Sequence, residues 1–199
     1  MAITLHEVVR VQAPIEEVWR FMVDAERVAA CMPGAALDEA VDEWTYEGSI
    51  RVKLGAITTS YRGQVRFVKT DERAHTVQLV AEGRETGGGT AQGGMSSSLC
   101  ALEGGATEVT IEASVDVTGR VAQMGRGMIQ GVSQQLFGQF VACARAVLEG
   151  GEGAALEHQS AAQKPVPILS IAFGVVWSSI VRFVRRLLRR DKPEPEQEG

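Results

Sequence analysis

Histidine and cysteine are sparse in this sequence. His6, His75 and His158 are the only histidines. They stand far apart, and each reads as a surface or linker residue. Cys31, Cys100 and Cys143 show no CxxC or other ligand spacing, so no metal site is expected. Their odd number and apolar settings predict reduced, buried thiols in a cytosolic protein. The first residues, MAITLHEVVR, contain no apolar signal core. Positive charge is scarce in the body. Residues 1–160 carry 13 Lys+Arg against 21 Asp+Glu, whereas residues 161–199 carry 7 against 4. An acidic body argues against nucleic-acid binding, and the basic tail points to an anionic surface as its partner.

What is abundant is alternation. Ile3 to Gln12 reads as a first strand. Ala13-Pro14 then opens a helix, because proline suits the first helical position and Glu16 and Glu17 complement the positive end of the dipole. Ile15, Val18, Trp19 and Met22 are its expected buried side. Asp24 caps a second short helix, Ala25 to Met32, which Pro33-Gly34 ends. Strands fill the following stretch. Their dry-face positions are Trp44 to Leu54 (even), Ile57 to Phe67 (odd), Val77 to Gly83, Ala91 to Leu99 and Val109 to Val117. Period-two alternation of this kind means an antiparallel meander with one wet face. Gly119 to Glu149 reads as one long helix, with Val121, Met124, Gly125, Met128, Ile129, Val132, Leu136 and Phe140 on one stripe. The order is strand, two helices, about six strands and a long helix, an α+β fold.

The middle of the dry face is small: Gly48, Gly63, Ala81, Gly83, Ala91, Gly93, Ser97 and Ala113. Trp44, Leu54, Ile57, Phe67, Val77 and Val117 stand nearer strand ends. A solid core would place large side chains in the middle. Two readings are compatible: the glycines let the sheet curve, or they leave a hollow beneath the helix. Gly125, Gly127 and Gly131 raise the same question in the helix, where each costs about 1 kcal/mol against alanine. Either they allow close packing on another backbone, or they make room for a ligand. The expected lining of an apolar cavity is Met32 from the second short helix, and Tyr46, Gly48, Ile50, Tyr61, Gly63, Val65, Leu79, Ala81, Gly93, Met95, Ser97 and Ala113 from the sheet. Val121, Met124, Gly125, Met128, Ile129 and Val132 come from the helix.

Residues 151–167 have the composition of a flexible linker. Residues 168–181, ILSIAFGVVWSSIV, are uncharged but too few for a span, which needs about 20. Continued as a helix to residue 190, the segment puts Arg182, Arg185, Arg186, Arg189 and Arg190 on one face. With Phe173 and Trp177 in its apolar part, it reads as a membrane-anchoring amphipathic helix. Residues 191–199 are expected to be disordered.

The helix-grip pattern resembles the START-like (SRPBCC) superfamily. Within it, the chain is similar to the CoxG family of carbon monoxide dehydrogenase subunits. The matching stretches are Ala13 to Ala35, Tyr46 to Val65, the glycine-rich Glu82 to Leu99, and Val117 to Ile129; the DAERVAACMPG segment, Asp24 to Gly34, is fairly specific. The resemblance implies a curved antiparallel sheet wrapped round the long helix over residues 1–150, with the C-terminal helix apart. It also implies a non-catalytic subunit that recruits a molybdenum-containing carbon monoxide dehydrogenase, or a related hydroxylase, to the inner face of the cytoplasmic membrane. A lipophilic electron carrier, menaquinone or ubiquinone, fits the expected cavity. No catalytic residue is carried over.

Two other classes remain open at this point. A helix-grip enzyme of cyclase or hydrolase type would need an acid–base group in the cavity. The dry face offers only Tyr46, Thr59, Tyr61 and Ser97. A plain membrane adaptor would have a filled core.

Overall fold

Alternation decides the sheet. In the computed structural model, which describes residues 2–150, seven strands form one antiparallel sheet in the order β1-β7-β6-β5-β4-β3-β2. The strands are β1 (Ala2–Val11), β2 (Ala35–Ala40), β3 (Thr45–Leu54), β4 (Ile57–Asp71), β5 (Thr76–Glu85), β6 (Thr90–Ala101) and β7 (Thr107–Val117). Between β1 and β2 come helices α1 (Ile15–Met22) and α2 (Ala25–Cys31). After β7 come a 3₁₀ turn, Val121–Met124, and α3 (Arg126–Gly150). The expected linker, basic amphipathic helix and tail, with Phe173, Trp177 and the five arginines, lie outside the described residues, as does His158.

The helix starts follow local chemistry. Asp24 accepts a hydrogen bond from the Arg27 amide at 3.0 Å and caps α2. Pro14 precedes α1, whose first turn carries Glu16 and Glu17. The buried side of α1 is Val18, Trp19, Phe21 and Met22. Phe21 takes the fully buried place that the pattern assigns to Ile15, which is half-buried. The Phe21 ring meets Phe140 of α3 at a centroid distance of 6.3 Å.

The sheet curves by identifiable devices. Register shifts between Leu37 and Glu39 and between Phe67 and Lys69 insert bulges. A side chain on Gly48, Gly63 or Gly93 would strike the carbonyl oxygen of Ala36, Glu82 or Ser114, on the neighbouring strand. These three glycines therefore serve close backbone approach. Gly83 is different: an added Cβ there would meet nothing nearer than 3.4 Å.

Several expectations are corrected. The long helix does not start at Gly119. Gly125, at φ +89, turns the chain between the 3₁₀ turn and α3, a conformation that costs glycine no steric clash. The glycines within α3 do not serve close packing, because a Cβ on Gly127, Gly131 or Gly138 would meet no described atom within 4 Å. The cysteines are not all reduced and buried. Cys31 and Cys143 form a disulfide joining α2 to α3 with Cα atoms 5.4 Å apart, and Cys100 is exposed. Trp44 and Ile57, expected on the dry face, are exposed at strand ends. His75 is half-buried and stands edge-on to Trp19 at 5.6 Å, so it is not a plain surface residue.

Candidate functional site

Strand register converts the spaced small residues into a continuous floor. Tyr46 pairs with Val65, Val65 with Ala81, Ala81 with Gly93 and Gly93 with Val115. Alongside runs a second row, Gly48, Gly63, Gly83 and Ala91. On one side stands the row Phe67, Leu79, Met95 and Ala113; on the other stand Ile50, Tyr61 and Glu85. Side chains directly opposite on one face are about 5 Å apart, so these rows make one surface.

Apolar packing is concentrated at its two ends. One cluster gathers Val18, Trp19, Phe21, Phe67, Val77, Leu99, Val109, Ile111, Phe140 and Ala144, with Met32, Tyr46, Leu79 and Met95 against it. The other gathers Ile3, Leu54, Tyr61, Val117, Val121 and Ile129, with Ile50, Val52, Met124 and Val132 against it. Gly48, Gly63, Val65, Ala81 and Gly93 belong to neither and remain half-buried. Among the strands, α3 packs most on β1, on one edge, and next most on β3, beside the other edge. The helix thus bridges the rims of the curved sheet.

Of the helix residues expected at this surface, Val121, Met124, Ile129 and Val132 join the second cluster. Met128 does not: it is 44% exposed. Gly125 is exposed at the bend, and a Cβ there would meet no described atom within 4 Å. Ser97 is buried at the α1 end of the floor, in the row Val77, Ser97 and Ile111, and its hydroxyl has no hydrogen-bond partner.

A group absent from the expected lining is Glu85. It is the one charged residue buried among the described residues, at 9% exposure. Thr59 donates to its Oε1 at 2.7 Å, and Arg120 Nη2 lies 3.7 Å from the same atom. Glu85 sits directly opposite Tyr61 in the register. The Tyr61 phenol is held above its ordinary pKa, first by burial and then by the Glu85 charge. The alternation 77, 79, 81, 83 extends to 85, so the signal was present. A glutamate before a glycine run reads as a turn residue and hides it. Those glycines matter here. A side chain on Gly87 would strike the Arg120 guanidinium, and one on Gly89 would come 3.3 Å from Glu85 Oε2.

Elsewhere, no group of three or more metal-binding side chains occurs among the described residues. The outer face of the sheet bears two open depressions of about 610 and 600 Å³. Outward side chains such as His6, Ser96 and Glu112 line one, and Arg66, Glu82 and Gln92 line the other.

Comparison with known proteins agrees with this architecture. The CoxG family of carbon monoxide dehydrogenase subunits matches residues 8–149. No curated protein matches the chain. Among solved structures, a conserved protein from Geobacillus kaustophilus superposes with a TM-score of 0.67 at 20% identity, covering 74% of this chain and 96% of its own. A START superfamily protein from Mycobacterium smegmatis gives 0.52 at 11% identity, covering 74% and 97%. The ZhuI aromatase/cyclase from Streptomyces sp. R1128 gives 0.52 at 12% identity, covering 84% and 100%. At these identities the likeness is one of fold.

Proposed function

Because the chain belongs to the CoxG family of carbon monoxide dehydrogenase subunits, we propose that it is a non-catalytic accessory subunit that holds a lipophilic electron carrier on the inner face of its sheet. The carrier is a quinone of the menaquinone or ubiquinone type. The partner is a molybdenum-containing carbon monoxide dehydrogenase or a related hydroxylase. The C-terminal apolar and arginine-rich segment tethers the pair to anionic lipids on the cytoplasmic side of the membrane.

One observation carries the reading. The floor between the two apolar clusters is made of small residues that stay half-buried under a helix resting on the sheet's rims. Half-buried apolar surface of this extent, enclosed on both sides, is what an elongated apolar ligand covers favourably, at roughly 25 cal/mol per Å². The test is mass spectrometry of an organic extract of the purified full chain. A co-purifying quinone or other isoprenoid lipid is the expected result. An extract free of lipophilic compounds, from protein that also fails to take up added quinone, sinks the carrier reading and leaves the membrane adaptor.

A second reading, an enzyme, is favoured by the buried Glu85 beside Tyr61. Turnover of an aromatic or carbonyl substrate, abolished by Glu85→Gln, would establish it.

A further inference from the structure

Resting on the carrier reading above, we infer that Tyr61 and Glu85 form the polar end of the site and bind a hydroxyl group of the ligand. The subsite therefore favours the reduced, hydroquinone form of the proposed carrier, or another apolar phenol, over an oxidised form that ends only in carbonyl or ether oxygens.

Three buried side-chain atoms among the described residues have no hydrogen-bond partner, and two of them stand here: Tyr61 Oη and Glu85 Oε2. Leaving such groups buried and unpaired forfeits the hydrogen bonds that water gives them in the unfolded chain. A structure tolerates that where something else fills the gap. The two residues are a directly opposed pair on the inner face of β4 and β5, and their side chains leave the sheet side by side. Their needs are complementary. Both neighbours of the Glu85 carboxylate donate to or face Oε1, which leaves Oε2 an acceptor awaiting a donor. The Tyr61 hydroxyl is able to donate. One hydroxyl satisfies both, its hydrogen going to Glu85 Oε2 and its oxygen accepting from Tyr61. A carbonyl or ether oxygen offers no hydrogen and would leave Oε2 unpaired. The apolar part of the ligand has a continuous path from there. Tyr61 packs in the cluster with Leu54, Val121 and Ile129, and the Gly48–Gly63–Gly83 row begins next to it. Ser97, the third unpartnered group, pairs with Val77, eight residues along β5 from Glu85. That is roughly 26 Å at the usual strand rise, which places Ser97 outside this subsite.

The test is calorimetric titration of the full chain with para-octylphenol and with its methyl ether, which differ at the hydroxyl. Wild type should bind the phenol about tenfold to a hundredfold more tightly, the range expected for a hydrogen bond to a charged group. Glu85→Gln should erase most of that preference, whereas Tyr61→Phe, which removes a donor that either probe's oxygen can accept from, should weaken phenol and ether alike. An unchanged far-ultraviolet circular dichroism spectrum reports that the variants fold, and should Glu85→Gln fail to do so, the loss of phenol affinity in the one-atom change Tyr61→Phe decides. Equal binding of phenol and ether by wild type, a preference that survives Glu85→Gln, or unchanged phenol affinity in Tyr61→Phe overturns the subsite and leaves the apolar site standing. Binding of neither probe overturns the carrier reading itself, with the pair then holding only water.

Discussion

At the scale of single residues, glycine has two distinct uses in this protein. Gly63 lies where β4 and β5 close on each other, and a methyl group there would strike the Glu82 carbonyl. Gly63→Ala should cost about 1–3 kcal/mol, as overpacking does. Gly131 lies in α3 with open space around it. Gly131→Ala should add about 0.5–1 kcal/mol, because only helix propensity changes. Paired urea melts check both, and a stabilising Gly63→Ala would contradict the account of sheet curvature. Tyr61 makes a prediction about pH. Its folded pKa is raised, so at alkaline pH the unfolded chain releases the phenolic proton before the folded chain does. Its contribution is fully present below the ordinary phenol range, near pH 10, and is lost as pH rises through and beyond it. Tyr61→Phe should flatten that alkaline decline. The chain has 2 tyrosines, so the variant also isolates Tyr46 in an absorbance titration.

At the scale of elements, α3 is held unevenly. Its C-terminal half buries Phe140 and Ala144, is joined to α2 by the Cys31–Cys143 bond, and is tied to the first strand and the residue after it. Arg145 donates to the Arg10 carbonyl at 2.8 and 3.1 Å, and Glu149 accepts from the Gln12 amide at 2.9 Å. Its N-terminal half buries only Ile129 and follows the bend at Gly125. Local opening follows local contact density. Amide exchange should therefore be faster over residues 130–134 than over 140–146, where reduction of the disulfide should raise it. Uniform protection along the helix would mean that the first half is as firmly seated as the second.

At the scale of the whole molecule, the proposed function assigns carrying and tethering to different parts of the chain. The body has an acidic balance, and the five arginines lie in the C-terminal segment. Each arginine near an anionic surface contributes about 1 kcal/mol, and salt screens that attraction. Deleting residues 165–199 should shift the protein from the membrane to the soluble fraction without loss of quinone binding. Replacing the five arginines by glutamine should weaken attachment most at low salt. A truncated chain that still pellets with membranes would locate the anchor in the body and end the tethered-carrier mechanism.

What could be read from residues in order was local. Period two marked the strands and their inner faces, so the floor positions Tyr46, Gly48, Tyr61, Gly63, Ala81 and Gly93 were placed on one face before any pairing was known. Asp24 and Pro14 announced their helices through backbone chemistry within one turn. What escaped depended on distant partners. β2 went unseen because an edge strand with mostly exposed side chains has little hydrophobic pattern. The disulfide joins residues 112 positions apart. The start of α3 turned on the positive φ of Gly125, which a continuous apolar stripe concealed. Glu85 gained its meaning only when β4 set Tyr61 opposite it, Thr59 within hydrogen-bonding distance and Arg120 beside it. Periodicity reports which way a side chain faces, because backbone geometry repeats every two or 3.6 residues. What that side chain meets there is set by segments that folding brings together from elsewhere in the chain.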